Sequence, residues 1–354
     1  MAGSQVREPA SRPVNPVDTS YGSDRSGLIS GFLFRPEQPG KPLDTAEASA
    51  WLRGETLAGA GDEGAFVWLH FNLANAATER WLRAHIGSVD AFFDALHEGS
   101  RSTRIEYAHD ALIAVVNDVL YEFDFEPSQI ATLWMCVDER TLVSARLQPL
   151  RSIDRLRAAV KNGETFDSSV ALLTHLLRDQ ADVLVQIVRA ATERVDKVED
   201  SLLLGRVKHS RARLGALRRV LVRLRRLLAP EPGALFRLLN QPPGWIAQED
   251  VHELRHSTEE FSAVLGDMTA VQERIKLLQE EIAAQVTEET NRSVFVLTMV
   301  TVLALPINMI AGLLGMNVGG VPLAEHAHGF WIVVAIIASF TVAAAWWAFR
   351  GREE

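Results

Sequence analysis

The stretch SVFVLTMVTVLALPINMIAGLLGMN, residues Ser293–Asn317, contains no charged residue and decides the fold class. Its apolar part, Val294–Leu314, rises about 32 Å as a helix, which is enough to cross the hydrocarbon layer of a membrane. A second charge-free run, Gly329–Phe349, follows after a short loop. The two runs predict a transmembrane helical hairpin over residues 293–354.

The charges that flank the hairpin predict its orientation. Arg292 precedes the first run, Arg350 and Arg352 follow the second, and the loop between them has no Lys or Arg. Positive residues are enriched at the cytoplasmic ends of membrane helices. We therefore expect a multi-pass membrane protein with both termini in the cytoplasm.

The residues before the hairpin have the composition of an aqueous domain. The chain has 354 residues, with 36 Lys and Arg against 45 Asp and Glu and a net charge of −9. Almost all of these charges lie before Glu289. The net negative charge excludes the basic footprint of a nucleic-acid-binding protein. The single cysteine, Cys136, excludes an internal disulfide and cysteine zinc clusters, and its apolar neighbours predict a buried thiol.

Short runs near the amino end predict a mixed α/β domain over residues 27–165, after a disordered arm over residues 1–26 that is rich in Ser, Pro and Gly. The predicted strands are Gly27–Phe34, Ala65–Phe71, Arg104–His109, Ala111–Val116, Ile130–Val137 and Thr141–Arg146. The predicted helices are Ala77–His85 and Val89–His97. No Gly-rich phosphate loop, GxSxG or HExxH motif occurs. We therefore expect no enzyme and no catalytic site.

Residues 166–292 predict long helices. Phe166–Gly205 and Ser210–Leu228 form a pair that the Pro230–Pro232 cluster ends. The absence of Pro from Gly244 to Leu305 predicts one stalk helix that continues into the first span. Its apolar residues recur in heptads and predict a packing seam: Phe261, Val264, Met268, Val271, Ile275, Leu278 and Ile282.

The second helix of the pair is rich in arginine. Its arginines are Arg211, Arg213, Arg218, Arg219, Arg223, Arg225 and Arg226. They form either a patch for nucleic acid or anionic lipid, or a solvated face opposite acidic helices. We favour the solvated face.

A polar stripe follows one face of the first span. Steps of three and four residues connect Asn291, Val294, Thr298, Thr301, Leu305, Asn308 and Gly312. Polar groups in hydrocarbon need protein or water as partners. The stripe is therefore either a dry contact between helices or the wall of a pore that several copies share. We favour the pore because the polar positions are continuous.

The same face of the stalk carries acidic and imidazole side chains, namely His252, His256, Glu259, Glu273 and Glu280. Several copies around an axis would form a negative vestibule that attracts cations. His252 and His256 also have the i,i+4 spacing of a helical zinc site. A cytoplasmic metal site is therefore a second interpretation of these residues.

The loop after the first span carries the most specific motif. The span ends in Gly315-Met316-Asn317, and Glu325, His326 and His328 follow it. Gly315 lets the backbone turn tightly, and the Asn317 amide oxygen is a neutral ligand for a hydrated cation. A GMN tripeptide at the end of the first of two carboxyl-terminal spans is typical of the CorA superfamily of divalent-cation transporters. The sequence therefore resembles that superfamily. Within it, the sequence is similar to the ZntB zinc-transporter branch.

The resemblance runs from about Gly27 to the last residues and is most specific over Gly315–Phe330. It implies an α+β membrane protein, a funnel-shaped homopentamer with a cytoplasmic α/β domain and a long stalk helix that continues into the pore. It implies no cofactor, and it implies other copies of the chain, the lipid bilayer, divalent cations and protons as partners. Family pore roles transfer to Asn317, Asn308, Leu305, Leu297, Val294 and Asn291. Gly315, Met316, Thr301 and Thr298 complete the predicted pore set.

The outer loop predicts the transported ion. Imidazole ligands suit zinc, whereas magnesium prefers oxygen ligands and keeps its water. Glu325, His326 and His328 are therefore predicted to capture Zn²⁺. The resemblance also implies proton-coupled uptake, for which the span itself offers no carboxylate. Two alternatives stay open: a CorA-type channel for Mg²⁺ or a broad range of divalent cations, and a non-conducting membrane-anchored scaffold or sensor.

Overall fold

The computed structural model describes residues 22–55, 64–86, 90–98, 103–126, 128–204, 210–316 and 327–350. The chain divides into two units, Met1–Lys276 and Leu277–Glu354. Most of the predicted disordered arm lies outside the described residues. The predicted division at residues 26, 165 and 292 stays a prediction.

The first unit is built on a mixed sheet. Its strands are β1 Leu28–Phe34, β2 Lys41–Leu43, β3 Phe66–Asn72, β4 Arg104–Ala108, β5 Ala111–Val119, β6 Ile130–Val137 and β7 Thr141–Arg146. In the described part of the chain they form one sheet with the order β2-β1-β3-β7-β6-β5-β4. β3 and β7 pair in parallel, and the other neighbours pair antiparallel. The predicted α/β domain is therefore confirmed.

The helices of the first unit are α1 Thr45–Leu52, α2 Thr78–His85, α3 Asp90–His97, α4 Arg151–Lys161, α5 Ser169–Leu203, α6 Ser210–Leu228 and α7 Pro230–Asn240. The longest helix, α8, spans Gln248–Leu314, and α9 spans Gly329–Arg350. The predicted long helix is therefore confirmed. It continues past Pro306, although the sequence prediction ended the Pro-free stretch at Leu305.

The sheet is covered by helices on both faces. Successive side chains of a strand point to opposite faces, and both faces of β3 are buried. Phe66 and Trp68 belong to the core that α4, α5 and α7 close. Val67 and Leu69 belong to the core that α1, α2 and α3 close. This double cover explains why the strands read as continuous apolar runs rather than alternating ones.

Four details differ from the sequence prediction. β2 and α1 were not predicted, and neither was α7, because the Pro230–Pro232 cluster was taken as a helix end. Pro is compatible with the first turn of a helix, where its missing N–H has no partner to lose, and α7 begins at Pro230. α5 begins at Ser169 rather than Phe166, because the Ser168 hydroxyl accepts a hydrogen bond from the Ala171 N–H at 2.8 Å and caps the helix.

The predicted heptad seam of α8 is buried at all seven positions. Arg274 of α8 pairs with Asp196 of α5 at 2.7 Å and also with Glu199. Ser168, just before α5, donates a hydrogen bond to Asp250 at 2.8 Å. The amino-terminal part of α8 therefore packs against α5, one helix of the predicted pair.

A buried polar cluster joins β5, α5 and α7. Gln180 of α5 donates to the Asn117 carbonyl of β5 at 2.6 Å, and the same amide lies 3.4 Å from Glu231 Oε2. Glu231 is fully buried, and its Oε1 has no hydrogen-bond partner among the described residues. Burial raises the pKa of the Glu231 carboxyl to about 8, and the nearby Asp118 raises it further. The carboxyl is therefore mostly protonated at neutral pH.

Phe34 anchors the core between β1, β3 and the segment that precedes α5. Its ring stacks on Phe66 with centroids 4.7 Å apart and meets Phe166 edge-on at 5.7 Å. We expect Phe34→Ala to lower the free energy of unfolding by about 3–5 kcal/mol, because the small side chain leaves a cavity. Thermal unfolding of the full chain in detergent measures it. Tyr121→Ala, at an exposed aromatic, should leave the melting temperature unchanged. Equal melting of Phe34→Ala and wild type would contradict this packing.

Glu231 makes stability depend on pH. Its pKa rises from 4.5 in the unfolded chain to about 8 in the fold, so its stabilising contribution is complete below the unfolded pKa and is lost as pH rises through the folded one. We expect Glu231→Gln to remove this loss, which is up to about 1.4 kcal/mol per pH unit. Melting temperatures of wild type and variant between about pH 6 and 8 measure the difference.

Asp118 is the other buried acid of this region, and burial raises its pKa to about 6. The pH dependence of stability that comes from Asp118 lies mainly below about pH 6, and it is present in both wild type and Glu231→Gln. Glu122→Gln, at an exposed carboxyl, is the matched control and should keep the wild-type pH profile. Parallel pH profiles for Glu231→Gln and wild type would show that Glu231 is already ionised in the fold.

Candidate functional site

The predicted pore residues that the structure describes lie on α8 within the second unit. The side chains of Asn291, Val294, Leu297, Thr298, Thr301, Leu305 and Asn308 are all exposed. Gly315 and Met316 follow the end of the helix. Asn317, Glu325 and His326 lie outside the described residues, while His328 is described and exposed.

A different face of α8 is partly covered. Six half-buried positions recur at steps of three and four: Phe295, Met299, Leu303, Pro306, Ile310 and Leu314. Ala304 and Ile307 are half-buried as well. α9 has a matching row, in which Gly329 is buried and Val333, Ile337 and Thr341 are half-buried. Both rows belong to the second unit, and each has the spacing of a helix face that packs against another segment.

The polar stripe points away from the half-buried row of α8. At 100° per residue, the stripe from Asn291 to Gly312 lies roughly 150° around α8 from the half-buried row. The stripe therefore does not belong to the half-buried face. In a membrane, its polar groups require other partners, namely further helices or water.

The stripe offers neutral oxygen atoms. The Thr301 hydroxyl donates to the Leu297 carbonyl at 2.9 Å, which uses its hydrogen and leaves the oxygen free to accept hydrogen bonds. The Asn308 amide adds a second acceptor in the same stripe. Such groups bind the water shell of a cation without neutralising its charge.

Pro306 adds a backbone acceptor that the sequence analysis did not identify. Pro306 has no N–H, so the Val302 carbonyl loses the donor that it would find four residues further along α8. A Pro inside an otherwise apolar helical run is the signal that marks this carbonyl. The exposed Val302 lies between the two faces.

The helix ends at a glycine for steric reasons. Gly315 donates its N–H to the Ala311 carbonyl at 2.9 Å, and a Cβ at this residue would lie 3.0 Å from the same oxygen. Any larger residue would press on the last turn of α8. The requirement for Gly is therefore a close approach and not a positive φ angle.

The candidate metal residues of the stalk face solvent. The side chains of His252, His256, Glu259, Glu273 and Glu280 are exposed, and His256 lies 3.4 Å from Glu260. Among the described residues, no group of three or more His, Cys, Asp or Glu side chains is arranged to hold a metal ion. The cytoplasmic metal site therefore stays a prediction.

Three histidines of the first unit, His70, His85 and His97, have structural partners. Arg146 donates to His70 Nε2 at 2.9 Å, and His70 Nδ1 contacts the Ser144 hydroxyl at 2.9 Å. Burial, together with the neighbouring arginines, lowers the pKa of His70 well below its ordinary value. His85 and His97 each bind a carbonyl one turn earlier in their helix. These contacts account for the three imidazoles within the fold of the first unit.

One described helix, Gln248–Leu314, contains a segment long and apolar enough to cross a membrane. Gly329–Ala343 is a shorter apolar helical segment. By length and composition alone, α8 is therefore a candidate span. The second span of the predicted hairpin stays a prediction.

Several known proteins are similar to this chain over most of its length. The divalent cation transporter CmaX of Pseudomonas aeruginosa is 29% identical over 334 residues, covering 92% of this chain and 96% of CmaX. The zinc transport protein ZntB of Pectobacterium carotovorum is 24% identical over 285 residues, covering 80% of this chain and 87% of ZntB. The solved structure of full-length CmaX superposes with a TM-score of 0.77 and 25% identity, covering 94% of this chain and 99% of that structure.

The model of the CorA-like Mg²⁺ transporter protein family matches residues 63–350. The matched range includes five of the seven described strands, helices α2–α9 and the GMN motif. It confirms the predicted resemblance to the CorA superfamily, with ZntB proteins among the relatives. The chain belongs to the CorA-like Mg²⁺ transporter family, whose members are membrane transporters of divalent cations and not enzymes.

Proposed function

We propose that this protein takes up Zn²⁺ across the bacterial inner membrane, coupled to protons, as a homopentamer whose pore is lined by α8 of each copy. The observation that carries the proposal is the separation of the two faces of α8. One face of α8 carries a row of half-buried residues, as one face of α9 does, and the polar stripe on the other side of α8 is exposed. A single hairpin cannot enclose a channel, so the stripe needs further copies of the chain.

In this proposal each pore residue has a position. Asn317 lies at the outer mouth, and Asn308 and Thr301 supply oxygen acceptors along the stripe. Val294, Leu297 and Leu305 form apolar rings that exclude water when the pore narrows. Both termini lie in the cytoplasm, with α8 and α9 as the two spans of the hairpin.

Zinc is proposed from the chemistry of the outer loop. Glu325, His326 and His328 combine a carboxylate with imidazoles, a ligand set that suits Zn²⁺ better than Mg²⁺. Several relatives are named zinc transport protein ZntB, which supports this choice, whereas CmaX is named only as a divalent cation transporter. The oxygen ligands of the stripe are equally suited to a hydrated Mg²⁺, so transport itself has to decide the ion.

Uptake into proteoliposomes tests the proposal. We expect Zn²⁺ uptake to exceed Mg²⁺ uptake and to rise with an inward proton gradient. Asn317→Ala should reduce uptake at least tenfold, because the outer mouth loses its amide ligand. The double variant His326→Ala/His328→Ala should lower the preference for Zn²⁺ over Mg²⁺. The amount of reconstituted pentamer, measured by size-exclusion chromatography with light scattering, controls for assembly.

Other outcomes point to the alternatives. Mg²⁺ uptake that ignores both the proton gradient and the two histidines would identify a CorA-type channel. No uptake of either ion by an assembled oligomer would favour a scaffold or sensor. A monomer in detergent and in membranes would contradict the shared pore.

The apolar rings have their own test. Val294→Asn should raise ion flux several-fold in the resting state, because a polar ring holds water in the narrow pore. Val300→Asn is the matched control, since Val300 is also exposed but lies roughly 120° away around α8. Stopped-flow flux measurements compare the two. Equal flux for Val294→Asn and wild type, or an equal gain for Val300→Asn, would remove the gate from the proposal.

A further inference from the structure

A cleft of about 350 Å³ opens between the β5–β6 loop and helices α5 and α6 in the first unit. Its volume lies at the lower end of the range for small-molecule sites. All of its lining residues are described, and none belongs to the polar stripe of α8. The proposed pore therefore assigns no role to it.

The rim of the cleft is positively charged. Arg194 and Lys197 of α5 and Arg213 of α6 line it, against one carboxylate, Asp124. No carboxylate among the described residues lies within ion-pair distance of Lys197 or Arg213. Arg194 lies 3.6 Å from Asp124, whose side chain is 87% exposed. A pair so exposed is weak, so an incoming anion can replace it.

The rest of α6 carries further exposed arginines. Arg211, Arg219, Arg225 and Arg226 of α6 are exposed, and within the described ranges none of them has a carboxylate partner. The sequence analysis favoured a solvated arginine face, and this interpretation stays a prediction. None of these four arginines lines the cleft, so they take no part in the proposed contacts.

The interior of the cleft is apolar and aromatic. Val198, Leu214 and Leu217 line it together with Phe125. The Arg194 guanidinium lies 3.8 Å from the Phe125 ring centroid, and Phe123 supports that ring at 5.4 Å. A guanidinium over an aromatic ring is a planar group on which a second planar ring can also stack.

The backbone holds Phe125 at a cost. Its φ angle is +56°, a left-handed conformation that is uncommon for a bulky residue. Strain of this kind persists where surrounding contacts impose it, often at binding sites. Here it directs an aromatic ring to the wall of the charged cleft.

We propose that this cleft binds a nucleoside phosphate, with the phosphates on Lys197 and Arg213 and the base against Arg194 and Phe125. Arginine and lysine are the usual partners of phosphate groups. The volume suits a mononucleotide rather than a nucleic-acid chain, in keeping with the net charge of −9. The proposal is independent of the transported ion.

Calorimetric titration of ADP into the full-length protein in detergent tests it. EDTA is present so that no divalent cation links the nucleotide to the transport pathway. We expect saturable binding of ADP, with adenosine and inorganic pyrophosphate each at least tenfold weaker, because each lacks one half of the contacts. Lys197→Ala and Arg213→Ala should each weaken ADP at least tenfold. Arg219→Ala, an exposed arginine of the same helix outside the cleft, should leave the affinity unchanged.

Arg194→Lys separates stacking from charge. It keeps the positive charge and loses the planar group, so it should weaken ADP while leaving pyrophosphate unchanged. The proposal fails if ADP does not bind up to about 1 mM, if Arg219→Ala weakens it as much as Arg213→Ala, or if pyrophosphate binds as tightly as ADP. Binding of laurate without binding of ADP would assign the cleft to an acyl chain and would equally overturn it.

Discussion

Polar groups removed from water destabilise a protein unless another polar group or water meets them. On α8, the apolar row takes the partly covered face and the polar stripe remains exposed. The side chains within the stripe satisfy what they can locally, as Thr301 does through the Leu297 carbonyl. Oxygen acceptors of the stripe remain available after these local hydrogen bonds. The water shell of a cation can donate hydrogen bonds to them.

The same constraint acts in the first unit with a different result. Arg146 and His70 lie within the sheet core and meet each other, which keeps the imidazole neutral. Glu231 has only the Gln180 amide near one oxygen, so it is kept mostly protonated by its surroundings. The hydrogen bond between Arg146 and His70 and the protonation of Glu231 thus both follow from the free energy that it costs to remove a charged group from water.

Much of the fold could be predicted from the sequence because strands buried on both faces leave long apolar runs. Six of the predicted strands correspond to β1, β3, β4, β5, β6 and β7. β5 continues to Val119 rather than ending at Val116, because its polar residues find partners. The Asn117 side chain finds them in Thr103 and Thr132, and the Asp118 carboxyl accepts from the Ser152 N–H. These partners are distant in sequence, so no local pattern reveals them. α1 had a readable signal, since Asp44 and Glu47 form a capping box.

The candidate site was predictable to a similar degree. Helical steps along the first span placed the polar residues on one stripe, and the role of this stripe in a pore stays a prediction. The half-buried row opposite depends on a neighbouring segment and could not be read from one helix alone. The cleft of Phe125 and Arg194 escaped the sequence analysis entirely, because a loop and two helices build it and its aromatic wall depends on a backbone angle.

Cys136 has a consequence for chemical labelling. It is the single cysteine of the chain, it is 3% exposed in β6, and burial raises the pKa of its thiol to about 12. A thiolate is the species that reacts with alkylating and methanethiosulfonate reagents, so this thiol is inert near neutral pH. The natural chain therefore behaves as a cysteine-free background. A cysteine introduced at any stripe position becomes the sole reactive thiol, and its accessibility reports directly on whether water reaches that face of α8.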